Sequence, residues 1–142
     1  MNKLHESYQH IFPHKDNFGE LVGYDILEAK PGYARTVLTI EKKHLSPSGA
    51  CHGGTLSTFV DFSMGAAIFL SLKKGELCST IEFKINYISP AKLNDKLVCD
   101  AKIKSKGKSH AVVECHVFRP DEEDKRDVAI ALGTYNIYST QK

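Results

Sequence analysis

The chain has no tryptophan, four cysteines and five prolines among its 142 residues, and these scarcities narrow what it can be. Cys51, Cys78, Cys99 and Cys115 stand 27, 21 and 16 residues apart, which leaves no close pair for a zinc ribbon or a redox motif. Reduced thiols packed as small apolar side chains are expected instead. A long apolar run is also missing. The strongest, Met64 to Leu72, is interrupted by Gly65 and Ser71 and is far below the roughly 20 residues that span a bilayer. Residues 1–10 are charged and polar where a secretory signal would need an apolar core. Nor does one sign of charge dominate: nineteen Lys and Arg face seventeen Asp and Glu, a net of +2 that is too even for a nucleic-acid surface. A small anionic ligand is compatible with that balance. No repeat, low-complexity tract or linker divides the chain. The expectation is one cytoplasmic domain over residues 1–142, with no nucleic-acid or membrane partner.

Hydrophobic residues make up 42% and charged residues 25%. A chain of this length buries roughly 70% of its unfolded surface, so it needs neither disulfides nor a metal to fold. Lys3 to Phe12 predicts a short helix stopped by Pro13, within an N-terminal extension over residues 1–17. Leu21 to Leu27 and Tyr33 to Ile40 read as a hairpin joined through Lys30-Pro31-Gly32. After a loop containing Ser46-Pro47-Ser48-Gly49, the stretch Gly54 to Leu72 is apolar on nearly all sides, the pattern of a helix buried all round. Four strand signals follow: Thr80 to Ile88, Lys96 to Ile103, Ala111 to Arg119 and Val128 to Tyr138. Between the second and third, Lys106-Gly107-Lys108 suits a tight turn with glycine at positive φ. The sum is an α+β architecture, an antiparallel sheet of about six strands wrapped around one long central helix.

Asp61 stands out inside that helix, among Phe59, Val60, Phe62 and Met64, where a carboxylate is costly unless partnered or used. On spacing alone it is either a functional carboxylate or a residue that faces a solvent channel or pairs with a base. Nine residues earlier, His52-Gly53-Gly54 stands directly before the helix. Two glycines there either shape the loop's path or let the free amides of a helix start approach an anion or a carbonyl oxygen. Gly54 and Asp61 share a helix face but lie roughly 10 Å apart along the axis, too far to touch one reacting carbon. A catalytic site using both would combine two chains, so a homodimer is expected.

The run His52-Gly53-Gly54-Thr55-Leu56-Ser57-Thr58-Phe59-Val60-Asp61, followed by Phe62-Ser63-Met64-Gly65, resembles the signature of the PaaI-like (phenylacetate-type) hotdog-fold acyl-CoA thioesterases. The resemblance extends through Tyr87-Ile88-Ser89-Pro90-Ala91-Lys92 and Lys106-Gly107-Lys108, from about Phe18 to Tyr138. It implies a hotdog fold, a homotetramer built from dimers with shared active sites, and hydrolysis of aryl-, phenylacetyl- or medium-chain acyl-CoA. It makes Asp61 the catalytic nucleophile or general base and the Gly54 amide the group that polarises the thioester carbonyl. His52 shapes the loop, and the Thr80 hydroxyl positions the water or the carboxylate. Ser46 stands where the family often has Asn, which weakens one expected contact to the carbonyl. Gly53, Tyr87, Ser89, Pro90 and Lys92, with Ser105, Lys106, Gly107, Lys108, Ser109 and His110, would flank CoA. Lys104, Lys106 and Lys108 would meet its phosphates.

A thioester is already activated, so a polarised carbonyl and one carboxylate suffice without a serine triad. No Gly-x-Ser-x-Gly elbow occurs, which removes the α/β-hydrolase route. Cys51 beside His52 lacks an orienting third group, and His5, His10 and His14 lack accompanying carboxylates or cysteines, so neither a thiol nucleophile nor a metal is expected. No cofactor is expected beyond the CoA carried by substrate and product. A non-catalytic acyl-CoA binding protein of the same fold is the alternative, and a hydratase a weaker one. Phe59, Phe62, Met64 and Phe83 are the candidates for lining the acyl pocket.

Overall fold

The computed structural model describes residues 14–123 and 126–140. The expected helix at Lys3 to Phe12 lies outside them. A different helix opens the described chain: the Asp16 carboxylate accepts from Gly19 N–H at 2.8 Å and caps α1 (Asn17–Val22). Gly23, with φ 92°, ends it in the left-handed region, where a side chain would be strained. Leu21 and Val22 therefore belong to a helix rather than to the expected strand, and β1 (Asp25–Lys30) begins beyond that stop.

The remaining elements are β2 (Tyr33–Thr39), a 3-10 turn at Lys42–His44, α2 (Gly53–Phe69), β3 (Glu76–Tyr87), β4 (Lys96–Lys106), β5 (His110–Phe118) and β6 (Asp127–Ser139). α2 ends three residues sooner than its apolar composition suggests. β3 starts four residues earlier than expected, directly after Gly75 turns the chain at φ 81°. β4 runs three residues past Ile103, so Lys104, Ser105 and Lys106 are strand residues and the turn moves to residues 107–109. Gly107 does not take positive φ there; its N–H closes the hairpin on His110 O at 2.8 Å.

The strands form one antiparallel sheet in the order β1-β2-β4-β5-β6-β3, and α2 touches all six. This is the hotdog arrangement of sheet around helix. Phe59, Val60, Met64 and Ile68 of α2 are fully buried against Leu38, Leu97, Val113 and Val117. The close approach of helix and sheet requires Gly133, because a Cβ there would lie 2.9 Å from Phe83 Cβ and 3.1 Å from Met64 Cε. Ser63, buried on α2, donates to Phe59 O at 2.6 Å and meets the Thr36 hydroxyl of β2 at 2.6 Å, so the polar atoms under the helix are paired.

The two sheet edges differ in length. β1 has six residues and a bulge between Ile26 and Glu28; β3 has twelve and a bulge between Thr80 and Glu82, pairs among the described strands only with β6, and exposes 53% of Ile81.

Candidate active site

His52 precedes α2 in an extended conformation, and its ring Nδ1 accepts from Gly54 N–H at 2.9 Å. The His52 carbonyl accepts from Thr55 N–H at 3.0 Å and Leu56 N–H at 3.3 Å. Among the described residues, Gly53 N–H is then the one amide of the first turn without a partner. This corrects the expectation for Gly54, whose amide is committed to the histidine cap. The peptide that ends in Gly53 N–H begins with the doubly bonded His52 carbonyl, and such loading polarises the peptide and strengthens its donor. The helix dipole acts in the same direction.

Tyr87, the last residue of β3, holds this turn from the other side. Its hydroxyl donates to Gly53 O at 3.1 Å and lies 2.6 Å from Ser57 Oγ. A phenol has one proton, so the Ser57 hydroxyl donates to it. A Cβ on Gly53 would stand 3.2 Å from Tyr87 Cζ, tight enough to push the ring away. The first glycine of the pair thus gives Tyr87 its close seat, across a sequence gap that no local motif displays.

Two turns further along α2, Asp61 Oδ1 accepts from Thr80 Oγ1 at 2.7 Å and from the Tyr135 hydroxyl at 2.8 Å. Thr80 and Tyr135 are direct cross-strand partners on β3 and β6, and the register shifts immediately afterwards, between Thr80 and Glu82. Among the described residues no donor reaches Oδ2 and no Lys, Arg or His pairs with this carboxylate, so the pairing with a base left open by spacing is not found. Asp61 lines a cavity of about 280 Å³ with Phe18, Tyr24, Ser57, Thr58, Phe62 and Phe83. Tyr24 stacks on Phe62 with centroids 3.8 Å apart. Phe59 and Met64 lie in the core instead.

The titratable neighbours of Asp61 are neutral. Burial, then the Asp61 charge, raises Tyr135 far above the ordinary phenol value; burial, then Asp16, does the same for Tyr24. Cys78 is pushed up to about 11, by burial first and by Asp61 second. Burial also raises Cys51, whose Sγ lies 3.6 Å from its neighbour's carbonyl, so it is a thiol and a poor nucleophile. No group of three or more His, Cys, Asp or Glu could hold a metal among the described residues; His5 and His10 lie outside them.

The other expected residues are distributed along the sheet. The Ser46 hydroxyl meets Ser48 Oγ at 2.7 Å, and no contact joins it to Asp61 or Gly53. Ser89 Oγ donates to Asp127 O at 3.0 Å, Pro90 O accepts from the Arg119 guanidinium, and Lys92 N–H donates to Asp95 at 2.8 Å. Ser105, Lys106, Gly107, Lys108, Ser109 and His110 form an exposed hairpin end, with Lys104 paired to Glu114 at 3.3 Å. In register, Tyr87 faces Ala129 whereas His110 faces Asn136. Seven residues of β6, roughly 23 Å, therefore separate the two segments expected to flank CoA within one chain.

Sequence reasoning missed Tyr135, Tyr24 and Ser57. The available signal for Tyr135 was the alternation of Gly133, Tyr135 and Ile137 on the buried row of β6, which sets a phenol on the helix-facing side.

The sequence model of the thioesterase superfamily matches residues 48–125. A protein of Archaeoglobus fulgidus that bears an esterase name is 32% identical over 119 residues, 84% of this chain and 73% of that protein. Human acyl-coenzyme A thioesterase 13 is 30% identical over 96 residues, 67% of this chain and 68% of its own. The solved E. coli PaaI protein, from the phenylacetic acid degradation operon, is 20% identical, covers 94% of this chain and 93% of its own, and superposes with a TM-score of 0.81. No helix among the described residues is long and apolar enough to cross a membrane.

Proposed function

The chain belongs to the thioesterase superfamily and is a thioester hydrolase, and from that premise we propose that it hydrolyses an acyl-CoA thioester to the free acid and CoA. The observation that carries this reading is the Asp61 carboxylate, held by two hydroxyls on Oδ1 with Oδ2 left to act beside a small aromatic cavity. Asp61 takes a proton from water as the water oxygen bonds to the thioester carbon. The carbonyl electrons move onto oxygen, which Gly53 N–H stabilises. Collapse re-forms the carbonyl and breaks the C–S bond, and the thiolate leaves with the proton from Asp61. One water is consumed. Direct attack by Asp61, giving a mixed anhydride that water then opens, uses the same oxygen; incorporation of oxygen-18 into Asp61 during one turnover identifies that route.

The eight residues from Gly53 to Asp61 rise about 12 Å, so donor and base for one carbonyl come from two subunits. The exposed edge of β3 supports this. Antiparallel pairing of two such edges about their middle carries Thr80 and Asp61 of one chain toward Tyr87 and Gly53 of the partner subunit. It also joins opposite ends of the two sheets, so that residues 87–92 of one chain and 105–110 of the other can flank one CoA, with Lys104, Lys106 and Lys108 near its phosphates. The assembly is a homodimer with shared sites, paired into a homotetramer. The rings of Phe18, Tyr24, Phe62 and Phe83 suit aryl, phenylacetyl or medium-chain acyl groups. Free cysteines fit the reducing cytoplasm. Thiol release from a panel of such acyl-CoAs tests the reading. Turnover lost in Asp61→Asn supports it, undiminished turnover overturns the role of Asp61, and binding without turnover in the wild type favours a non-catalytic acyl-CoA binder.

A further inference from the structure

We propose that Tyr135 is a positioning residue for the hydrolysis, saturating Asp61 Oδ1 together with Thr80 so that Oδ2 alone is the reacting oxygen. This rests on the reading above. Tyr135 is 2% exposed and reaches past the bare Cα of Gly65 to Asp61. Its hydroxyl lies 2.8 Å from Oδ1 and 3.0 Å from the Asp61 carbonyl oxygen. The phenol has one proton to give, and an ionised carboxylate is the stronger acceptor. The proton therefore goes to Oδ1 while Asp61 is ionised, and the backbone carbonyl is its alternative once the carboxyl is protonated. Thr80 gives the second proton to the same oxygen. With two donors from directly opposed strand positions, the carboxylate cannot exchange its two oxygens by rotating about Cβ–Cγ without breaking both bonds. Tyr135 touches the base and not the reacting carbon, so it acts through Asp61.

Among the described residues, the titratable groups that feel the Asp61 charge are Tyr24 before β1, Cys78 on β3 and Tyr135 itself, all neutral near pH 7. Among the described residues no cation pairs with Asp61 to substitute for the lost hydroxyl, and Tyr135→Phe keeps the ring and its packing while removing the donor. Expected in Tyr135→Phe is a roughly tenfold fall in kcat with KM nearly unchanged, because the reacting carboxylate is no longer held in one orientation. The same substitution placed in Asp61→Asn should cause no further loss. An independent readout is a slowly exchanging hydroxyl proton in the NMR spectrum, present in wild type and absent in Tyr135→Phe. Wild-type kcat in a folded Tyr135→Phe would overturn the inference, as would a further loss in the Asp61→Asn background. If the wild type turns over no thioester, the functional reading fails; the hydroxyl resonance still decides whether Tyr135 holds Asp61, and its absence also overturns the proposal.

Discussion

At the start of α2 the proposed oxyanion donor is a backbone amide prepared by its sequence neighbours, whereas eight residues later the proposed base is a carboxylate prepared by strands 19 and 74 residues away. His52 needs only the next two residues to cap the helix and leave one N–H unpaired. Asp61 sits in an otherwise apolar stretch, and everything that makes its charge tolerable arrives from β3 and β6. The amide end is assembled with the helix; the carboxylate end exists only after the sheet has closed over it. Tyr87 is the exception at the amide end, a distant residue that clamps what His52 has started.

The sharpest test of this division is complementation. Asp61→Asn should lower thiol release by about 10³-fold, and Gly53→Ala by about 10²-fold, because the new Cβ displaces Tyr87 and disturbs the donor. If the two groups serve one carbonyl from different subunits, equal mixing of the inactive variants should restore about a quarter of wild-type activity, the share of intact sites in randomly assembled dimers. Absence of any recovery after subunit exchange would break the comparison at its root. Next in size, Ile81→Lys places a charge on the exposed β3 edge. Light scattering should show monomer, and activity should fall in proportion, with circular dichroism unchanged. Removing the local cap is gentler. His52→Ala should cost about 1 kcal/mol and lower Tm by about 3 °C, a loss set by one N-cap bond.

The smallest effect concerns a carboxylate held differently. Asp100, on the outer face of β4, is bound by Arg35 through Nε at 2.6 Å and Nη2 at 2.7 Å, with the Tyr33 hydroxyl at 3.1 Å. Burial alone would raise its pKa, but the guanidinium and the phenol overcome it and hold the carboxyl below the ordinary range. A depressed pKa contributes stability that is complete above the unfolded value near 4 and is lost as pH falls through the folded one. Urea midpoints should therefore decline below about pH 4, and less steeply in Asp100→Asn. An equal slope in the variant would show that this pair contributes nothing measurable.

The elements that follow a local rule are legible in the residues alone. Alternation marked β5 and β6 and the Pro-Gly turn marked β2, each nearly to its ends, and apolarity on nearly all sides marked α2. Their boundaries were less legible, since Leu21 and Val22 look equally apolar in a strand and in a helix, and only the Asp16 cap and the Gly23 stop separate the two. Asp61 was conspicuous as a charge in an apolar run, and the glycine pair as a helix start. Which glycine keeps its amide unpaired was not legible, because it depends on the direction of the His52 ring.

The amino-acid sequence by itself determined the central helix, the placement of a carboxylate two turns into it, the amide-rich start before it and the strands on either side, because each rests on periodicity or on contacts between neighbours. Tertiary structure alone decided that Thr80 and Tyr135 stand opposite each other, that both reach one oxygen of Asp61, that Tyr87 clamps Gly53, and that β3 presents a long unpaired edge. Those facts depend on strand order and register. Both are fixed by burial of the sheet's inner face over the whole chain, and a shift of one residue in pairing would turn Tyr135 away from the helix and leave Asp61 without its donor.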